Sequence, residues 1–89
     1  MKLKILSFSW ESFSSDKIVS ITILTWVGEI TILDHHSPLL TSIKPSTMYV
    51  LYKDDNNVDI RDDFAIWSWV VEINNNEVKI LADMLVDID

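Results

Sequence analysis

The residues best suited to chemistry lie in one stretch, GEITILDHHSPLLTSIKPS (28–46), which holds the only glycine, both prolines and both histidines. Asp34, His35 and His36 are consecutive, and such side chains can ligate a metal or transfer protons. Adjacent side chains of an extended chain point to opposite sides, so these two histidines do not easily share one ion. The other aspartates fall in scattered turn segments. The pattern therefore favours a structural loop over a metal site.

Other catalytic arrangements find little support. A Gly-x-Ser-x-Gly elbow and a glycine-rich phosphate loop both need several glycines, and the chain has one. Paired carboxylates occur at Asp54–Asp55 and Asp62–Asp63, but their polar neighbours are typical of solvated turns, whereas acid–base catalysis needs a shaped pocket. We predict no catalytic residue, no metal and no cofactor.

Composition limits the partners. The chain has 89 residues, 48% of them hydrophobic, no cysteine, and a net charge of -7. Such a charge repels nucleic acid phosphates and anionic lipid headgroups, and no apolar run approaches the ~20 residues of a membrane-spanning helix. We therefore expect no nucleic acid partner, no direct membrane insertion and no small-molecule substrate.

The hydrophobic pattern has a period of two. Segments such as KLKILSF, KIVSITIL and EVKILAD alternate β-branched and polar residues, and turn signals separate them every 8–12 residues. This predicts one all-β domain over residues 1–89, an antiparallel β-sandwich or flattened barrel of about 8–10 short strands. The asparagine runs predict hairpin turns with positive φ. Helix is expected only as a possible start at 83–89, with Asp83 as the N-cap.

Four tryptophans are many for a chain of this length. Strict alternation places Trp67, Trp69 and Val71 on one face of a strand, and Ile66, Ser68 and Val70 on the other. Both faces are then apolar, which predicts that one of them serves an interface.

The stretch 28–46 resembles the segment GE-h-G-I-L-P-G-H-A-P-L-L-T-x-h-K-P-G (h, apolar) of the epsilon subunit of F-type ATP synthases. The matching positions are Gly28, Glu29, Ile32, Leu33, His36, Pro38, Leu39, Leu40, Thr41, Lys44 and Pro45. A second block, FAIWSWVVEINNNEVKILADMLVDID, is similar to the family's A-V-S-G-G-F-V-E-V…N-x-V-T-I-L-A-D…D-I-D. The opening strand matches through Glu11 and Phe13, so the resemblance covers essentially the whole chain.

The resemblance implies a non-catalytic rotor domain at the foot of the central stalk. It would bind the gamma subunit and the c-subunit ring and help couple proton or sodium translocation to ATP synthesis, on the cytoplasmic face of the bacterial membrane. The implied ring contacts, expected on one rim, are Gly28, Glu29, Ile30 and His36. The implied gamma contacts are Trp67, Trp69 and Val71. The residues expected to shape the loop, by packing inward or closing a turn, are Pro38, Leu39, Leu40, Lys44 and Pro45.

The sequence also departs from the family pattern. An aspartate, Asp34, replaces a family proline, and family glycines are replaced by Thr31, His35, Ser46, Ser68 and Trp69. Where such a glycine has positive φ, the replacement is expected to cost about 1 kcal/mol or more. The chain stops at Asp89, where the family's inhibitory helical hairpin would begin, so the expectation is a subunit without that inhibition.

Two other functions stay open on the sequence. One is a free-standing recognition module that binds a carbohydrate or peptide through exposed tryptophans. The other is a small metal-dependent enzyme that uses Asp34, His35 and His36.

Overall fold

The computed structural model describes residues 1–7 and 12–87, with side chains for all of these except 12, 68, 69 and 84–87. This part of the chain forms β-strands joined by short turns. The strands are β1 (Lys2–Ser7), β2 (Ser12–Ser15), β3 (Ile18–Thr25), β4 (Gly28–Leu33), β5 (Leu39–Ser42), β6 (Ser46–Lys53), β7 (Asp59–Asn74) and β8 (Glu77–Asp87). The prediction of an all-β fold of about 8–10 strands is confirmed, although β7 and β8, with 16 and 11 residues, are longer than expected. Across the described residues, no helix has the length and apolar character needed to cross a bilayer.

The strands follow the order β2-β1-β8-β7-β6-β3-β4, and β5 pairs with β7 outside this path. Neighbouring strands are antiparallel except β1 and β8, which run parallel in register from Lys2 opposite Glu77 to Ser7 opposite Ala82. The long strand β7 pairs with β6 through its first half and with β5 through its second half. It therefore links the two layers of the sandwich.

The alternation of β7 changes phase in its middle. The pairing of β7 with β8 shifts register between Trp67 and Ser68 and again between Ser68 and Val70. Before the shift the buried residues have even numbers, as at Ile66, and after it odd numbers, as at Val71. One extra residue in a strand moves every later side chain to the opposite face.

The core lies between the layers and is rich in isoleucine, because β-branched side chains pack well on a pleated sheet. Thr25 is a buried polar residue whose hydroxyl donates to the carbonyl oxygen of Gly28 (2.7 Å) and accepts from the backbone N–H of Val27 (3.2 Å). The buried hydrophobic residues of the described chain are Leu3, Ile5, Ile18, Ile21, Ile23, Ile32, Ile43, Met48, Val50, Phe64, Ile66, Val71, Ile73, Val78, Ile80 and Ala82.

The predicted conformation of the asparagine turns is observed, whereas the predicted helix near the C-terminus is not observed in the described residues. Asn57, Asn75 and Asn76 have positive φ, which confirms the prediction for the asparagine runs. The prediction that a helix starts at Asp83 is wrong for residues 83–87, because β8 continues to Asp87, which pairs with Phe64 of β7. Residues 88 and 89 lie outside the described residues.

Candidate functional site

Asp34 and His35 form a small polar network with the turn between β7 and β8. The side chain of Asn76 donates to Asp34 Oδ1 (2.8 Å), and its Oδ1 accepts the backbone N–H of His35 (2.8 Å). The amino group of Met1 lies 3.2 Å from Asp34 Oδ1. The pKa of Asp34 is lowered, chiefly by the hydrogen bond from Asn76. The network ties the loop after β4 to the β7–β8 turn.

The two histidines do not converge. His35 has positive φ (60°) and an exposed ring whose Nε2 lies 3.4 Å from Asp34 Oδ2. Histidine tolerates this backbone region better than most residues, which fits its place where the family pattern has glycine. His36 Nδ1 lies 2.7 Å from the carbonyl oxygen of Ser37. Among the described residues, no three potential ligands lie close enough to hold one metal ion.

Replacing Asn76 with glycine should lower the melting temperature by about 4–8 °C, because both side-chain hydrogen bonds are lost while the left-handed backbone is kept. Asn75→Gly is the matched control, since Asn75 has the same backbone conformation in the same turn. Thermal melts followed by circular dichroism measure both. Equal melting temperatures for the two variants would show that the network does not hold the loop.

The hairpin tip between β3 and β4, Trp26 to Glu29, projects into solvent. Trp26 is 66% exposed and Val27 91% exposed. The ammonium group of Lys44 lies 5.0 Å from the centroid of the Trp26 ring. Gly28 has φ of 126°, which side chains rarely adopt, and nothing surrounds the position of a Cβ there. The tip is thus an apolar projection with a carboxylate, Glu29, at its base.

The expected ring-facing residues do not share one rim. Gly28 and Glu29 begin β4, Ile30 packs against the core, and His36 follows the other end of the strand. Since β4 spans about 17 Å at 3.3 Å per residue, the prediction that His36 lies beside Glu29 is wrong. The physical reason is that 28–33 is an extended strand and not a compact loop.

The loop-shaping residues divide between core and surface. Leu39 packs against the core, whereas Pro38 and Leu40 are exposed, so the prediction that all three pack inward is wrong. Leu40 points outward because β5 alternates. Lys44 donates its backbone N–H to the carbonyl oxygen of Leu24 (2.9 Å), and this bond fixes the Lys44–Pro45 segment before β6.

An apolar strip, here the residues Leu6, Leu40, Val70 and Leu81, crosses the outer face of β1, β8, β7 and β5. Leu6 is paired with Leu81, and Leu81 with Val70, so three of its residues form a row across neighbouring strands. The strip lines a groove of about 340 Å³.

This strip is not among the surfaces predicted from the sequence, although the sequence contains a signal for it. The tripeptide Lys-Ile-Leu occurs at 4–6 and again at 79–81, and the parallel register sets the two copies side by side. In both copies the isoleucine is buried while the lysine and leucine face outward. A leucine at the outward position of both copies indicates that the outer face of β1 and β8 is apolar.

The residues expected to contact gamma are not together on one face. Trp67 is 51% exposed, but Val71 is 0% exposed and belongs to the core, so its assignment to the exposed face is wrong. The register shift in β7 separates the two. The side chain of Trp69 lies outside the described residues.

Comparisons with known proteins agree on one family. The family model described as "ATP synthase, Delta/Epsilon chain, beta-sandwich domain" matches residues 1–88. An ATP synthase epsilon chain from Allorhizobium ampelinum is 27% identical over 75 residues, which are 84% of this chain and 53% of the relative. The chain thus spans about half the length of that curated relative.

Solved structures show the same fold. A chain of the Euglena gracilis mitochondrial ATP synthase (OSCP/F1/c-ring, rotational state 1) superposes with a TM-score of 0.79 at 22% identity, covering 96% of this chain and 51% of that chain. A chain of the Tetrahymena thermophila mitochondrial ATP synthase (central stalk/c-ring) superposes with a TM-score of 0.79 at 20% identity, covering 98% of this chain and 66% of that chain. With the family model matching nearly the full length, the chain belongs to the β-sandwich domain family of ATP synthase delta and epsilon chains.

Proposed function

We propose that this domain works as a non-catalytic rotor part of an F-type ATP synthase, the epsilon subunit's β-sandwich. It binds the gamma subunit and the c-ring and passes the rotation driven by ion translocation on to ATP synthesis. The observation that carries the proposal is the presence of two exposed apolar surfaces, the apolar strip and the hairpin tip, on one densely packed body. A transmitter of torque needs this combination, since a close-packed core deforms little under load.

The gamma subunit is proposed to cover the apolar strip and the neighbouring Trp67. Exposed leucines in a row are unfavourable in water, and tryptophan is favoured as an anchor at protein interfaces. Val71 is excluded from this contact by its burial.

The c-ring is proposed to contact the hairpin tip, with Glu29 supplying the charge and Gly28 the close backbone approach. A carboxylate at the edge of a contact pairs with basic groups of the partner and sets its register more than its affinity. His36 is left out of this contact because it lies at the far end of β4. Through these partners the domain would reside at the cytoplasmic face of the bacterial membrane as a peripheral component.

Co-expression with the gamma and c subunits of the same organism tests the proposal. We expect the chain to co-purify with gamma, and with the ring in the full complex. Glu29→Lys should weaken retention on the ring about tenfold while gamma binding is kept, since the tip and the strip are separate surfaces. Asp16→Lys is the control, because this exposed aspartate precedes β3 at the end opposite the tip. Failure of the unmodified chain to bind gamma would refute the proposal.

A second candidate function has one observation in its favour. Trp26 and Trp67 are both exposed, as a carbohydrate- or peptide-binding module requires. That function predicts quenching of tryptophan fluorescence by a soluble glycan or peptide in the absence of gamma. The rotor proposal predicts no such response.

A further inference from the structure

A short segment after β5 holds the end of β3 from which the hairpin tip projects. Among the described residues, β3 pairs with β6 as far as Thr22. Beyond that point Thr25 forms an isolated bridge with Ile43, and the backbone N–H of Lys44 donates to the carbonyl oxygen of Leu24 (2.9 Å). A two-stranded hairpin alone is only marginally stable, so this segment fixes the base of the tip on its second side.

The segment is anchored in the core at one residue and reaches the tip at the next. Ile43 is buried, whereas Lys44 is half-buried and its ammonium group lies over the indole of Trp26, 5.0 Å from the ring centroid. A cation at this distance from the face of a tryptophan is attracted by the negative face of the π-system. One side chain therefore joins a fixed point in the core to an exposed indole at the tip.

The indole is the charge partner of Lys44. Lys17 pairs with Asp55 (3.1 Å), whereas no carboxylate lies within ion-pair distance of Lys44 in the part of the chain that the structure describes. Trp26 is more than half exposed, so its indole would be free to change rotamer without this neighbour. An exposed side chain that is ordered before a partner arrives loses less conformational entropy on binding.

We infer that Lys44 is a positioning residue for the hairpin tip and that it acts through Trp26. With the indole held on the ammonium group, the tip is ordered before it meets the c-ring. The inference deepens the proposed function, on which it rests for the identity of the partner, the c-ring. It gives the side chain of Lys44 a role in that contact beyond the turn that its backbone closes.

Lys44→Met tests this role, because methionine keeps an apolar stem and removes the charge. Charge alone predicts tighter binding by this variant, since the proposed contact pairs Glu29 with basic groups of the c-ring and a nearby lysine opposes them. Positioning predicts the opposite, a loss of about fivefold in affinity. Titration of the labelled domain with a purified gamma–c-ring complex, followed by fluorescence anisotropy, measures the change.

The conservative variant Lys44→Arg should restore wild-type affinity, because a guanidinium group also stacks on tryptophan. Lys17→Met removes the same charge as Lys44→Met but should keep wild-type affinity. This exposed lysine precedes β3 at the end about 23 Å from the tip. Binding of Lys44→Met to gamma alone should also stay at the wild-type level, which a general loss of stability would not allow.

A double-mutant cycle ties the effect to the indole. In a Trp26→Leu background, the change Lys44→Met should alter c-ring affinity by less than about twofold, since the partner of the ammonium group is already gone. Nuclear magnetic resonance of isotope-labelled lysine gives a readout in the free domain. The ε-methylene protons of Lys44 should lie upfield of those of Lys17, because they sit over an aromatic ring, and Trp26→Leu should abolish the difference.

Four results would each overturn the inference. They are unchanged or tighter c-ring binding by Lys44→Met, failure of Lys44→Arg to restore affinity, a full loss in the Trp26→Leu background, and the absence of the upfield shift. Failure of the proposed function looks different, because the unmodified chain would then not bind the gamma–c-ring complex. If Glu29→Lys weakens c-ring binding and Lys44→Met does not, the inference falls and the rotor proposal stands.

Discussion

Replacing Val71 with aspartate should prevent the domain from folding. Val71 is 0% exposed and lies opposite Ile80, another buried residue, so the new carboxylate would have no water and no cation. Burying an unpaired charge costs several kcal/mol, and the whole domain is expected to be stable by only about 5–15 kcal/mol. We expect the variant to be insoluble, or to lack the β-sheet circular dichroism spectrum and a cooperative thermal transition.

Val27→Asp is the matched control for this result. Val27 is 91% exposed at the hairpin tip, so the same substitution there should change the free energy of unfolding by about 0.5 kcal/mol or less. If the Val71→Asp variant folds but binds gamma poorly, the result would instead show that Val71 is exposed at the gamma contact, as simple alternation predicts.

Most of the fold is local enough to be predicted from the sequence. In β3 from Ile21 onward, and in β8 through Asp83, the burial of side chains follows the alternation of residue types, because a strand with one face on a core must repeat every two residues. The turns at Asn57 and at Asn75–Asn76 were also predictable from local sequence, because asparagine is one of the few residues other than glycine that accept a positive φ.

The errors come from non-local pairing. The sequence of β7 does not show where its pairing partner changes from β6 to β5. The register shift between Trp67 and Val70 moves Val71 from the predicted outer face to the core. A helix after Asp83 could be predicted because the strand partners of this segment are distant in sequence: Ala65 pairs with Val86 and Phe64 with Asp87, 21 and 23 residues apart.

The sequence predicts the candidate site only where the chain resembles the epsilon subunit family. The exposed tip with Glu29 follows from the matched segment, but the distance from His36 depends on β4 being extended. The strip depends on the parallel pairing of β1 with β8, the first strand with the last. Such a pairing joins residues about 75 positions apart, and alternation within each strand carries no information about it.

The strongest effect on partner binding is expected from removing the apolar strip. In Leu40→Gln/Leu81→Gln, two exposed leucines become polar without a large change in volume, so the fold should be kept. Covering both side chains with a partner would otherwise contribute roughly 3 kcal/mol, and its loss should weaken gamma binding about 100-fold. Titration of purified gamma with the labelled domain measures this change.

Leu33→Gln/Val58→Gln is the control, because these residues are also exposed but lie at the end of β4 and in the turn before β7, away from the strip. If gamma binds the strip, the control should keep wild-type affinity, although it removes as many exposed apolar side chains as Leu40→Gln/Leu81→Gln does. Equal losses would mean that gamma is held by general surface hydrophobicity. An unchanged affinity in Leu40→Gln/Leu81→Gln would mean that gamma occupies another face, and Trp67→Ala would then separate the outer face of β7 from the hairpin tip.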